Sequence, residues 1–508
     1  ILAFTAGEMF FPMHVEGYIE LCSLDARTPA GIDEEVCPAG SLTAEQLIEV
    51  ANTQAPRSLA LRFVQEPLGG LEYQVWHSRR PKFSARGRLA RVGLFGRLTD
   101  ALLRLSILAR GRVPGGTTAA AQQQYEAIRH DDPDFVYHGR VTREGEYTVL
   151  NYQFFYAMND WRSSFFGVND HEADWEQVFV YLVESKDGAL QPAWLAYASH
   201  DFSGADLRRR WDDPDLTIVD DHPVVYTAAG SHASYFYPGE YVTSVELSFL
   251  RPVAALTGAI ARFWRNSLGQ GDPREAVRHV RELISVPFVD YARGDGVSVG
   301  PGQAREWTPV VIDDSVPWVD AYRGLWGLDT RDILAGELAP AGPKYNRDGS
   351  VRRTWYDPIG WAALDQEPSV SQSDAQLAGT IERLEARSRE AAAAAKLMRD
   401  ELPELSLQIE ALSGDGAPRS LLRNRQSRLD ELAGELRRLT AEAEELRAET
   451  EACRLLQQRI RAGYRPGPKD HLRYDLKPEP AQTFREGRIA ELWAAASIGV
   501  LLLLTSGL

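Results

Sequence analysis

Hydrophobic and polar positions alternate with a period of two in several short runs of the first 366 residues. The clearest runs are 147–157 (YTVLNYQFFYA), 176–183 (EQVFVYLV), 193–199 (AWLAYAS) and 223–229 (PVVYTAA). Val, Tyr, Phe and Trp dominate them, side chains that pack well on a pleated, half-buried surface. The runs 135–142 and 147–156 flank Arg143-Glu144-Gly145-Glu146 and predict a hairpin. Helical patterns at about 86–111 and 252–287 interrupt the strands. The first is amphipathic and basic, as in a helix lying on a membrane surface or packed on a sheet. The expected fold for 1–366 is a mainly β, sandwich or jelly-roll-like domain with two helical insertions.

The pattern changes in 372–462, where Ala, Glu, Leu and Arg take over. Leu377, Ile381, Leu384, Ser388, Ala391, Ala395, Met398, Leu402, Leu405, Ile409 and Leu412 recur at alternating steps of four and three. That spacing is a heptad seam. Gly414-Asp415-Gly416-Ala417-Pro418 breaks it, and a second seam runs from Leu422 to Ile460. Two seams of similar length around a tight turn predict an antiparallel coiled-coil hairpin, with pairing between chains as the alternative. Pro403 lies inside the first seam and predicts a kink. A Pro-rich linker, 463–483, leads to a C-terminal apolar segment, 484–508. Its last part, LWAAASIGVLLLLTSGL, has no charge and is marginally short of the roughly 20 residues that cross a bilayer. The expectation is a membrane-anchor helix, or the first half of a longer membrane region; an apolar helix docked on the body is the alternative.

Composition narrows the partners. The chain has 508 residues and a formal net charge of −16. That balance disfavours duplex nucleic acid, whose phosphates need a basic face, and suits divalent cations. Cys22, Cys37 and Cys453 are scattered and odd in number, which fits reduced thiols better than a disulfide framework. Residues 461–490 carry seven Lys or Arg against four Asp or Glu, a basic flank that favours the cytoplasmic side of a membrane. The expected localisation is therefore membrane-anchored, with the soluble part cytoplasmic.

Candidate chemistry is densest between Asp160 and Glu176. Asp174 and Glu176 are two apart in a strand and share a face, whereas Trp175 points to the other. Two carboxylates so placed repel unless a cation or proton neutralises them. His171 and Asp160 are near enough to complete a set of three oxygen donors and one imidazole. Asp160, His171, Asp174 and Glu176 are thus the expected ligands of magnesium, calcium or manganese. An acidic turn salt-bridged to Arg162 is the structural alternative. His171-Glu172-Ala173-Asp174-Trp175 is not the zinc-protease pattern, because Trp175 stands where the second His is needed. Glu172, His200 and His232 are the candidate general acids or bases. The sequence shows no nucleophile elbow, phosphate loop or dinucleotide fingerprint.

NYQFFYAMND, HEADWEQVFVYL, YASHDF and PVVYTAAGSHASYFYPGEY, in that order, resemble the vacuolar protein sorting-associated protein 62 family. GEMFFPMHV, WTPVVID, PWVDAYRGLWG, GPKY and WYDPIGWAAL extend the likeness over about 1–366. The resemblance implies a role in vacuolar trafficking. The core also resembles the necrosis-inducing toxins, whose hallmark is Gly-His-Arg-His-Asp-Trp-Glu. These are β-sandwich proteins that hold a divalent metal and bind sphingolipid head groups. That likeness implies metal ligation by Asp160, His171, Asp174 and Glu176. Asp170, Glu172 and Ala173 depart from the hallmark.

Three functional expectations follow. The first is a membrane-tethered, metal-bearing module that recognises a lipid or glycan head group. The second is a metal-dependent hydrolase. The third is a trafficking tether whose coiled coil captures a partner or a second copy.

Overall fold

The computed structural model describes residues 1–27, 33–53, 59–83, 114–161, 170–185, 187–199, 204–246, 285–327, 339–367, 373–414 and 417–472. The chain divides into two units, one of Ile1–Leu364 with His471–Leu508 and one of Asp365–Asp470.

The first unit is built on a six-stranded sheet. Its order is Trp307–Val311, Phe135–Glu144, Tyr147–Asn159, His171–Glu184, Leu190–Ala198 and Arg208–Arg210. Trp307–Val311 runs parallel to its neighbour and the other pairings are antiparallel. The hairpin turn shrinks to Gly145-Glu146, where Gly145 takes φ +58°. A left-handed position at a two-residue turn matches the strands' own twist, and glycine adopts it without steric cost.

Each face of the sheet buries a different cluster. Phe155, Ala157 and Trp175 pack with Tyr18, Phe63, Trp318 and Trp326. Phe154, Tyr156, Val178 and Val180 pack with Leu2, Phe4, Val225 and Val299. The last four belong to a smaller sheet ordered Ser234–Tyr235, Val225–Thr227, Leu2–Phe4, Ser298–Val299.

The expected mainly β sandwich is corrected: the architecture is mixed α/β. Helices Val15–Leu21, Ala44–Thr53, Gly70–Arg79 and Pro114–Asp131 stand among the sheets. Pro114–Asp131 escapes a search for apolar periodicity because the residues it buries include Thr118, Ala119 and Ala121, with Tyr125 the one large side chain. Of the expected insertions, 86–111 lies outside the described residues, as does most of 252–287. The end of the second range is strand, Ser285–Ala292.

The membrane expectations are also corrected. Among the described residues no helix is long and apolar enough to cross a membrane. The two longest helices, Ser373–Leu412 and Arg419–Arg461, carry Glu and Arg throughout, and a bilayer core rejects such charge. The segment 484–508 lies outside the described residues, so membrane attachment, the membrane as partner and a membrane-anchored location all lose their support.

The second unit pairs Ser373–Leu412 with Arg419–Arg461. Contacts from Asp374 to Arg461 and from Ser388 to Ala443 show the two running antiparallel. Ala391 and Ala395 pack against Leu439 and Ala443, and the first helix continues through Pro403. Alanine at this layer lets the backbones approach, so a larger side chain must force them apart. Ala391→Leu is expected to destabilise this unit by about 1–3 kcal/mol, read as a lower melting temperature by far-ultraviolet circular dichroism.

Candidate functional site

The site begins at a break in alternation. The strand His171–Glu184 starts five residues earlier than the run 176–183, so the acidic motif lies inside the sheet and is buried. Ala173 takes φ +57°, a rare conformation for a residue with a Cβ. On its two sides the carboxylates find separate partners. Glu172 accepts hydrogen bonds from the backbone N–H groups of Phe63 at 3.0 Å and Val64 at 2.9 Å. Asp174 instead accepts from His232 Nδ1 at 2.8 Å and from Asn159 Nδ2 at 3.4 Å.

His232 is the centre of this arrangement. It is fully buried and sits at φ +55° in the turn after Val225–Thr227. Its ring stacks on Tyr156, with centroids 3.7 Å apart and planes 6° from parallel. Its Nε2 lies 3.7 Å from a Glu8 carboxylate oxygen. Glu8 is itself fixed by three backbone donors, Met9 N at 2.7 Å, Phe10 N at 2.9 Å and Gly230 N at 2.8 Å. Burial pulls the His232 pKa down, but the hydrogen bond to Asp174 and the negative charges of Glu8 and Asp174 outweigh it and hold the pKa at about 9. At neutral pH the ring is an imidazolium between two carboxylates. His232 itself and Ala173, the residue before its partner Asp174, both take left-handed backbone, a local strain that the surrounding fold must offset.

The four expected metal ligands are not gathered at one point. Asp160 is fully buried, accepts from the Arg80 guanidinium, and donates its N–H to the Gly230 carbonyl at 2.9 Å. His171 donates from Nδ1 to the Ala173 carbonyl at 2.7 Å. Asp174 is held by His232. Glu176 lies near Tyr156 and Tyr235, where its charge adds to burial in raising both phenol pKa values. This donor set therefore does not fit a single ion as arranged. Among the described residues the one group that offers three ligand atoms within 4.8 Å of one another is His14, Asp132 and Asp134. It joins residues from distant parts of the chain, and no local spacing announces it.

Of the candidate acids and bases, Glu172 is occupied by backbone and His232 by carboxylates, whereas His200 lies outside the described residues. Glu8 was missed by sequence reasoning. Its signal, a carboxylate beside the run Met9-Phe10-Phe11, is too common to single out.

Comparison of the chain with protein-family models, with curated proteins and with solved structures finds no match.

Proposed function

We propose that the first unit is a binding module for a polar head group, of a lipid or a glycan, and not a hydrolase. The observation that carries this reading is the closed state of the acid–base pair at Asp174 and His232. A general base must be unprotonated near the working pH and must reach a substrate proton. His232 is protonated, buried and held on both ring nitrogens' sides by carboxylates. Glu172, bridging two backbone N–H groups, has no better access. Binding needs neither base; it needs a rigid scaffold, which the doubly covered sheet provides.

The test is a screen of the full chain against chromogenic phosphodiester and glycoside substrates with magnesium, calcium or manganese. Turnover is expected to stay at the buffer blank. Hydrolysis that disappears in His232→Gln would overturn the reading. Calorimetric titration with the same three cations checks the divalent-metal expectation. A binding heat lost in Asp174→Asn and kept in Asp132→Asn would restore the motif as the metal centre.

A further inference from the structure

The face of the central sheet that carries Trp175 holds a polar row between two apolar clusters. His138, Gln153 and Gln177 are cross-strand neighbours in register, on three adjacent strands. Asn151 and Trp175 lie two residues from Gln153 and Gln177 and share their face. Aromatic and apolar residues flank the row on both sides, Phe155 and Trp318 in one cluster and Phe179 and Tyr181 in the other. His138 and Gln153 are fully buried, and Gln177, Asn151 and Trp175 are 2%, 4% and 6% exposed.

Eight side-chain polar atoms of this row have no hydrogen-bond partner among the described residues. They are both ring nitrogens of His138, both amide atoms of Asn151 and of Gln153, Gln177 Oε1 and Trp175 Nε1. Buried polar groups in native proteins are nearly always satisfied, and a fold seldom leaves so many unsatisfied in one patch. The row is also uncharged. Burial, with the nearby His14 charge second, pulls the His138 pKa down to about 3, and the Gln153 carbonyl opposes this only weakly. Aromatic walls stand beside it: the His138 ring meets Trp175 edge-on at 5.4 Å and Trp318 at 6.0 Å.

We infer that this row is the ligand site of the module, and that its ligand is a neutral polyhydroxylated molecule of sugar or cyclitol type. The inference rests on the binding-module reading and gives it a place and a chemical class. Each amide offers a donor and an acceptor, and a hydroxyl group needs both. Indole and imidazole ring faces, negative by their π quadrupole, suit the C–H faces of a saturated ring. The cation beside the row is Arg140, the cross-strand neighbour of Asn151, and its guanidinium lies over the Trp355 ring at 4.1 Å and donates to the Trp355 carbonyl at 2.8 Å, so an anionic ligand would have to compete for it. Trp318 and Trp355, which stand over this face, belong to one-turn helices, Pro317–Ala321 and Arg353–Tyr356. Elements so short have few hydrogen bonds to break and are the natural place for the face to open.

The experiment is saturation-transfer NMR and calorimetry of the full chain with D-glucose, D-galactose, N-acetyl-D-glucosamine and myo-inositol, with inorganic phosphate as the anionic control. At least one neutral probe is expected to bind saturably, unaffected by phosphate. Gln153→Met keeps the side-chain volume and is expected to weaken that binding at least tenfold. Gln177→Met serves the same purpose if the first variant does not fold. Undiminished probe binding in folded Gln153→Met or Gln177→Met would overturn the location and leave the binding module standing. No binding by any probe, with Gln153→Met melting at a higher temperature than the unaltered chain, would overturn the inference by showing the row to be hydrated only. Failure of the module reading itself has a separate signature, turnover in the hydrolase screen.

Discussion

Replacing His232 with leucine is expected to cost the first unit about 3–5 kcal/mol, the usual penalty for removing one partner of a buried ion pair. The imidazolium lies between Asp174 and Glu8 and is fully buried, so its loss leaves two carboxylates facing each other without a cation. Leucine also resists the left-handed backbone at this position, where φ is +55°. His232→Asn separates the two effects, because asparagine tolerates that conformation but brings no charge. It is expected to lose less than the leucine variant and more than a surface substitution. Urea unfolding followed by tryptophan fluorescence is the measurement. Asp365–Asp470 contains no Trp, so the signal reports on the first unit alone. A loss below about 1 kcal/mol in His232→Leu, within reach of an ordinary surface contact, would show that the pair does not hold this part of the fold.

Folding stability is expected to fall on both sides of a maximum near pH 6.5, with a different histidine behind each limb. The His232 pKa is raised from 6.5 to about 9 in the folded protein. A raised pKa means that the folded state binds the proton more tightly. Its contribution is therefore complete below pH 6.5 and is lost as the pH rises through about 9. The size of that loss is on the order of 3 kcal/mol, at 1.36 kcal/mol per unit. His138 has the opposite sign, with its pKa lowered from 6.5 to about 3 by burial. Its contribution is complete above pH 6.5 and is lost as the pH falls toward about 3, because the unfolded chain takes the proton first. The urea midpoint measured from pH 4 to pH 9.5 checks both limbs. His232→Asn is expected to flatten the alkaline limb and His138→Gln the acid one. A midpoint that climbs steadily between pH 7 and pH 9 would contradict the first assignment.

How far the sequence reached differs between the two kinds of pattern. The alternation in 147–157 and 176–183 marks residues inside Tyr147–Asn159 and His171–Glu184, and the heptad steps mark residues inside Ser373–Leu412 and Arg419–Arg461. Helices that bury small residues stayed hidden, Pro114–Asp131 above all, because alanine and threonine give no apolar stripe to count. The uncharged run 492–508 suggests an anchor, yet hydropathy by itself states a preference for burial and not the partner that provides it.

The site shows the same division more sharply. Clustered carboxylates beside an imidazole did mark the part of the chain where charge is buried, since Asp160, His171, Asp174 and Glu176 are all enclosed. Their partners were illegible. His232 meets Asp174 across 58 residues, Arg80 meets Asp160 across 80, and Phe63 meets Glu172 across 109. The polar row had no signature at all, because His138, Gln153 and Gln177 become neighbours only through strand register.

By itself the sequence determined which segments repeat with period two and which with heptads, because side-chain direction along a strand or helix is a local property of the backbone. Only the tertiary structure decided what each buried charge meets. That choice depends on which distant turn crosses the strand, and on the one residue, Ala173, whose left-handed backbone sends Glu172 and Asp174 to different partners.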